Sequence, residues 1–237
     1  MALGSAAYVA AGLLTAALPA VSAAAYPDKP IRLVVPFPPG QGADILARLI
    51  GQHLAAALGQ PIVVENKVGA GGIIGTAFAA KAAPDGYTLY MGSSGPLAIG
   101  PHVYKAVGFD TLKDFAPISN IASVTQVLVT APASQLASAK DVVERARAQP
   151  GMVPFGSAGS GTTSHLTMEL FTQMSGISLS HVPYKGSSTS MIDVMAGRVP
   201  LMFDSLPGVL TNVKSGSLRA IAVASAQRDP LLPNVPT

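Results

Sequence analysis

The hydrophobic positions of this chain form short apolar runs that alternate with longer amphipathic segments. Ile31–Val35, Ile62–Glu65 and Tyr87–Met91 are apolar or β-branched and are bounded by Gly or Pro, which predicts three strands. Ala43–Leu58 and Gly72–Ala82 lie between them and have the length and spacing of helices. Right-handed crossovers assemble such a β-α-β-α-β series into a parallel sheet covered by helices.

The alternation resumes after a long extended stretch, Phe115–Ala131. The pattern predicts helices at Ser138–Ala148, with Ser138 as N-cap, at Thr163–Ser175 and at Ser187–Ala196. It predicts strands at Met152–Phe155, Leu179–Val182, Val199–Phe203 and Leu218–Ala224. The sequence therefore predicts two α/β lobes, residues 26–123 and 124–222, followed by a segment 223–237 that returns toward the first lobe.

Residues 1–25 have the pattern of a secretory signal peptide. Leu3–Ala20 is apolar, and small-x-small cleavage patterns follow at Val21–Ala23 and Ala23–Ala25. The alternative is a membrane anchor, but Gly12 and Pro19 interrupt a run that barely reaches spanning length. The basic region that usually precedes such a signal is missing. We expect an exported, periplasmic protein.

Composition excludes several classes of function. The net charge of +3 is small and scattered, and no basic run is interleaved with aromatic residues, so we expect no nucleic-acid partner. The absence of cysteine excludes disulfides, thiolate metal sites and cysteine nucleophiles. The four histidines show no metal-binding spacing, and Gly69–Gly75 does not fit a dinucleotide fingerprint. We therefore predict neither a metal nor a cofactor.

Four loops rich in glycine and hydroxyl groups follow predicted strands. They span residues 36–44, 92–95, 156–163 and 182–187, and three of them lead into a predicted helix. Free amides at a helix N-terminus, together with Ser and Thr hydroxyls, suit a carboxylate or a phosphate. Helix capping explains any one of these loops equally well. Four such loops in two lobes favour an anion-binding cleft.

Several single residues have both a binding and a structural interpretation. Asp44 either orders its own loop or selects a ligand amine or hydroxyl, and Asp204 either faces the cleft or forms a turn with Pro207. Lys185 could contact a carboxylate but could equally be a surface lysine, while Tyr184 suits a cleft wall.

An exported serine hydrolase is an alternative function. It would use Ser157 or Ser160 with His165, although the flanking glycines do not fit G-x-S-x-G and no acid partner is evident. His165 has a helix-packing role as its own alternative. A ligand-binding sensor module that signals to a partner protein is a further alternative, since its binding physics is the same.

Motifs along the whole chain after Tyr26 resemble those of one known family. They include Val35–Gly42 with Asp44, Gly69–Gly72 with Gly75, Pro84–Leu89, Gly156–Thr162 with His165, Val182–Gly186, Gly197–Val199 and Leu232–Thr237. In this order they resemble the substrate-binding receptors of tripartite tricarboxylate transporters, the TctC or Bug family.

The resemblance implies a two-lobed periplasmic-binding-protein fold of type II, with parallel-rich sheets, that closes like a Venus flytrap. It implies a monomeric, non-enzymatic receptor that delivers a small organic carboxylate to membrane permease subunits. Carried over by motif, the ligand-binding residues are Pro38, Pro39, Gly40, Gln41, Gly42, Asp44, Ser93, Ser94, Ser157, Ser160, Gly161, Thr162, Tyr184, Lys185 and Asp204.

The chain departs from the family pattern at two places. Gln41 stands where the family commonly has glycine, which alters the loop and adds an amide beside the site. Family members also continue past the motif that ends at Thr237, so we expect a C-terminally shortened chain with an incomplete first lobe.

Overall fold

The computed structural model describes residues 25–237, so the predicted signal peptide lies almost wholly outside the described residues. Within that range the chain forms two α/β lobes, each built on its own sheet. Among residues 25–237, no helix is both long enough and apolar enough to cross a membrane.

The first lobe contains the predicted parallel sheet. Its strands are β1 (Ile31–Val35), β2 (Ile62–Asn66) and β3 (Thr88–Tyr90), in the order β2-β1-β3 with both neighbouring pairs parallel. The crossovers contain α1 (Gly42–Leu58) and α2 (Ile73–Ala80), and α2 follows a 3-10 turn at Ala70–Gly72. Leu33, Val35, Phe37, Ala47 and Met91 form its core.

The segment between the lobes has little regular structure. A π-helical turn, Gly95–Ile99, runs into α3 (Gly100–Val103), and residues 104–125 contain neither helix nor strand. Only Gln126–Thr130, the strand β4, is paired within the predicted extended stretch. Phe115 packs against Tyr90 with ring centroids 5.4 Å apart, so this segment lies against the first lobe.

The second lobe contains a five-stranded sheet in the order β6-β5-β7-β4-β8. Its strands after β4 are β5 (Pro154–Ser157), β6 (Ser180–Pro183), β7 (Leu201–Ser205) and β8 (Arg219–Ala224). β5 pairs in parallel with β6 and β7, while β4 pairs antiparallel with β7 and β8. The sheet is therefore mixed, with a buried apolar cluster on each face.

Four helices cover this sheet, and their ends follow local chemistry. They are α4 (Ala139–Ala148), α5 (Thr163–Ser175), α6 (Ser187–Met195) and α7 (Leu206–Lys214). Ser138 caps α4 as predicted, because its hydroxyl accepts from the Asp141 amide while the Asp141 carboxylate accepts from the Ser138 amide.

The helix α7 was missed by the sequence analysis, which considered a turn at Asp204 and Pro207. Pro207 lies in the first turn of α7, where its missing N–H costs no helical hydrogen bond. The last residues pack on the second lobe: Leu232 joins the core cluster that contains Val127, and the Val223 amide donates to the Pro236 carbonyl.

Candidate functional site

The loop between β1 and α1 is held in shape by the carboxylate of Asp44. This side chain is buried, and it accepts hydrogen bonds at 2.9 Å from the Gly40 amide, from Arg48 Nε and from Asn66 Nδ2. Burial disfavours the charge, but the hydrogen bonds from Arg48, Asn66 and Gly40 outweigh it and hold the pKa of Asp44 below its usual value. Of the two interpretations, the structure supports the one in which Asp44 orders its own loop.

Gln41 occupies the N-cap position of α1 but does not cap the helix with its side chain. Its Oε1 reaches the second lobe and accepts a hydrogen bond of 3.2 Å from the Ser187 amide at the start of α6. The Gln41 side chain therefore leaves the N-terminal amides of α1 uncapped. Gln41, at which this chain departs from the family pattern, lies between the lobes instead.

The loop between β5 and α5 is tied together by its own hydroxyls. Ser157 Oγ accepts from the Gly159 amide at 3.0 Å, and Thr162 Oγ1 donates to the Gly159 carbonyl at 2.7 Å. Ser164 Oγ accepts from the Ala158 amide at 3.0 Å. Ser157 and Thr162, both predicted ligand contacts, are buried and serve the loop itself.

Two histidines lie behind this loop. Ser157 Oγ is 2.6 Å from His181 Nε2, and the Gly161 amide donates to His165 Nδ1 at 3.2 Å. Of the two pairings considered for a hydrolase, the one between Ser157 and His165 is not formed: Ser157, with none of its surface exposed, contacts His181 instead. The sequence analysis missed His181 because a lone histidine on a strand has no motif.

The loops after β6 and β7 form a third group. Tyr184 donates a 2.6 Å hydrogen bond to Asp193, and Lys185 is exposed. Asp204 is buried, which raises its pKa to about 6 against the opposing effect of the Ser205 amide. Among the described residues, one oxygen of Asp204 and the hydroxyls of Ser187, Ser190 and Ser205 have no hydrogen-bond partner.

The two lobes meet through these loops. Tyr104 donates to the Ser160 carbonyl at 2.9 Å, and the hydroxyls of Ser94 and Thr163 lie 3.1 Å apart. A Cβ added at Gly186 would lie 2.2 Å from Cγ of Pro38, and one at Gly42 would lie 2.2 Å from Ser205 Oγ. The backbones therefore approach closely only because these positions lack side chains.

The structure brings most of the predicted binding loops to one junction. The loop of Pro38–Gly42 contacts the start of α6 and the end of β7, Ser94 contacts the start of α5, and Ser160 contacts Tyr104. Tyr184 and Lys185 are not drawn into these contacts, since Tyr184 is bonded to Asp193. Two depressions around Ser134 and Pro200 lie away from all of these loops.

The junction offers hydrogen-bond donors rather than reactive groups. Helices α1, α5 and α6 begin there, and their first amides favour an anionic oxygen. Within residues 25–237, no three or more His, Cys, Asp or Glu side chains cluster as a metal site would require. Gly71 and Tyr104 also belong to the junction, where both approach the Ser160 carbonyl, and they were not predicted because contacts between distant loops have no local signature.

Comparison with known proteins assigns this arrangement to a family. The model of the tripartite tricarboxylate transporter family receptor matches residues 46–237. Protein BugT of Bordetella pertussis is 42% identical over 218 residues, which cover 92% of this chain and 67% of BugT.

Two solved structures extend the comparison. Rpa4515 of R. palustris with adipate has a TM-score of 0.87 and 38% identity, covering 90% of this chain and 71% of that chain. The periplasmic binding protein BugD has a TM-score of 0.85 and 34% identity, with the same coverage of both chains.

Proposed function

This chain belongs to the family of tripartite tricarboxylate transporter receptors, and we propose that it captures a small organic carboxylate between its lobes and delivers it to a membrane permease. The family is one of solute-binding proteins rather than enzymes. BugD is a periplasmic binding protein, which supports a periplasmic location with residues 1–25 as the export signal.

The observation that carries the proposal is the convergence of helix N-termini at the lobe junction. The first amides of α1 come from one lobe, and those of α5 and α6 come from the other. Aligned amides supply partial positive charge without a full countercharge, which suits a carboxylate. The hydrogen bonds from the Ser187 amide to Gln41 Oε1 and from the Tyr104 hydroxyl to the Ser160 carbonyl support closure of the lobes around it.

We assign the ligand contacts to the backbone of Pro38–Gly42 and of Ser160–Thr162, with the hydroxyls of Ser93, Ser94 and Ser160 beside them. Asp44 serves the site by shaping its loop. The remaining predicted ligand contacts are still predictions; they are Ser157, Tyr184, Lys185 and Asp204. The lobe boundaries at residues 123 and 222 are also part of the proposal.

We propose a dicarboxylate as the first ligand to test, because Rpa4515 was solved with adipate. The protein is melted alone and with adipate, succinate, acetate and inorganic phosphate. An acid at a hundred times its Kd adds about 2.7 kcal/mol, which corresponds to a rise in Tm of roughly 5 to 10 °C for a chain of this size.

Asp44→Ala and Ser160→Ala are the site variants, and Gly51→Ala, in the middle of α1, is the control. We expect both site variants to weaken binding of the active acid in calorimetry, and the control to bind normally. A cooperative melt that none of these compounds moves would contradict the proposal. Co-purification with a permease or with a sensor kinase would separate transport from signalling.

A further inference from the structure

His165 and His181 form a stacked pair directly behind the β5–α5 loop. Their ring centroids are 3.9 Å apart with an interplanar angle of 20°, and Phe155 stacks on His181 at 4.9 Å. The two rings come from different elements, α5 and β6, so the stack joins both to the strand β5. Both rings are also hydrogen-bonded to the loop, and those contacts indicate a role beyond packing.

Each ring is hydrogen-bonded to the loop. The Gly161 amide can only donate, so His165 Nδ1 must carry a lone pair. Ser157 Oγ accepts from the Gly159 amide and is also paired with His181 Nε2, as donor or acceptor according to the tautomer of His181. A proton added at His165 Nδ1 would therefore replace an acceptor with a donor and break the Gly161 attachment of the loop.

The surroundings disfavour charge on the pair. Among the described residues, Glu169 on α5 is the acidic group that faces it, 3.5 Å from His165 Nε2, and β5 carries no charged residue. On the first-lobe side, the titratable group is Tyr104, bonded to Ser160. Burial lowers the pKa of His165 despite Glu169, and burial followed by repulsion from His165 lowers that of His181 to about 4.

We propose that His165 and His181 are positioning residues that hold the ligand loop, Ser157–Gly161, in its binding shape only while both rings are uncharged, so that acidification releases the ligand. Two stacked imidazolium rings would repel each other, and the Gly161 amide would lose its acceptor on His165. The release of ligand rests on the proposed function, whereas the effect on the loop does not.

The test uses variants that keep a hydrogen-bond acceptor at each position but replace the imidazole ring, which takes up a proton. In His165→Asn the amide oxygen replaces Nδ1, and in His181→Gln it replaces Nε2, so both attachments can persist at any pH. His53→Gln and His102→Gln, at two exposed histidines, are the matched controls. Adipate is the probe, and binding is measured by calorimetry from about pH 7 down to about pH 3.5, a range that extends below the lowered pKa of His181.

We expect the wild type and both controls to bind adipate about tenfold more weakly at the acidic end, the equivalent of one lost hydrogen bond. The double variant should lose far less. Because adipate itself takes up protons in this range, variants are compared with the wild type at each pH. Equal loss of affinity in the wild type and the double variant would overturn the proposal.

A second measurement needs no ligand. The exchange rate of the Gly161 amide, corrected for the intrinsic effect of pH, should rise on acidification in the wild type and not in the double variant. If adipate fails to bind at any pH while Gly161 responds as expected, the ligand assignment fails and the positioning role stands. A Gly161 amide that is insensitive to pH in the wild type would overturn the positioning role, whatever the variants do.

Discussion

Asp204 lies at the end of β7 with only 3% of its surface exposed, and one of its oxygens has no hydrogen-bond partner among the described residues. Burial raises the pKa of this carboxyl to about 6. The folded protein therefore holds a proton on Asp204 at pH values where the unfolded chain has lost it. The contribution of the protonated Asp204 to the free energy of unfolding is fully present at low pH and is lost as pH rises through about 6.

We predict that Asp204→Asn stabilises the protein at neutral pH. The amide carries no charge and can donate to the hydroxyls of Ser187 and Ser205, which have no other partner. The pKa shift corresponds to a gain of about 2 to 3 kcal/mol at most. Urea unfolding at neutral and acidic pH checks this: the gain should shrink below about pH 5, and an equal effect at both pH values would contradict it.

The histidine pair has the opposite pH dependence. The lowered pKa values of His165 and His181 favour neutral rings in the folded state. Their contribution to the free energy of unfolding is therefore fully present above the usual histidine pKa and is lost as pH falls toward 4. A measured pH–stability curve contains both effects. The difference in the free energy of unfolding between Asp204→Asn and the wild type at each pH gives the contribution of the Asp204 carboxyl alone.

At the residue scale, the sequence located the loops better than the roles of their side chains. Four loops were expected to offer hydroxyls to a ligand, but Ser157, Thr162 and Ser164 bond to neighbouring backbone instead. Whether a hydroxyl turns outward depends on which amide lies nearest, and that depends on the folded loop. The stacking of His165 on His181 depends on the pairing of β5 with β6, which no local pattern encodes.

At the element scale, most helices and strands were predictable because their signals are local. β1 and α5 have the predicted bounds, and α1 ends before Gly59, whose φ of +67° suits glycine. The helix α7 was missed because Pro207 was interpreted as a turn residue. β7 begins and ends two residues later than predicted, because its position is set by pairing with β4.

We predict that Ser138→Ala lowers the free energy of unfolding by about 1 kcal/mol, since it removes one half of the capping box of α4. Urea unfolding with a circular-dichroism readout measures the change. Ser175→Ala, at the last residue of α5, is the control and should be nearly neutral. Equal stability of wild type and Ser138→Ala would show that this helix end does not limit stability.

At the scale of the whole molecule, the contacts between lobes are made by positions far apart in sequence. Gly186 is 148 positions from Pro38, yet a Cβ on it would lie 2.2 and 2.5 Å from Cγ and Cδ of the Pro38 ring. A rigid ring cannot move aside as a flexible side chain would. The sequence predicts glycines in these loops, but not which ones face the opposite lobe.

We predict that Gly186→Ala weakens adipate binding by about tenfold or more, because the added methyl group opposes closure and overpacking costs 1–3 kcal/mol. The variant should change the urea unfolding of the ligand-free protein much less. Gly51→Ala is the matched control, since its Cβ would meet Ile62 at an ordinary 3.4 Å. Normal binding by Gly186→Ala would show that this contact is not needed for closure.

Hydrogen bonds join different parts of the first lobe to the second, among them one from the Ser187 amide to Gln41 Oε1 and one from the Tyr104 hydroxyl to the Ser160 carbonyl. A ligand enclosed behind them cannot dissociate faster than the lobes separate. The residence times of weakly held acids then converge on one value, the opening time of the protein. Selectivity among such acids is then expressed in their association rates. Rapid-mixing measurements of association would therefore rank these acids, whereas their dissociation rates would be alike.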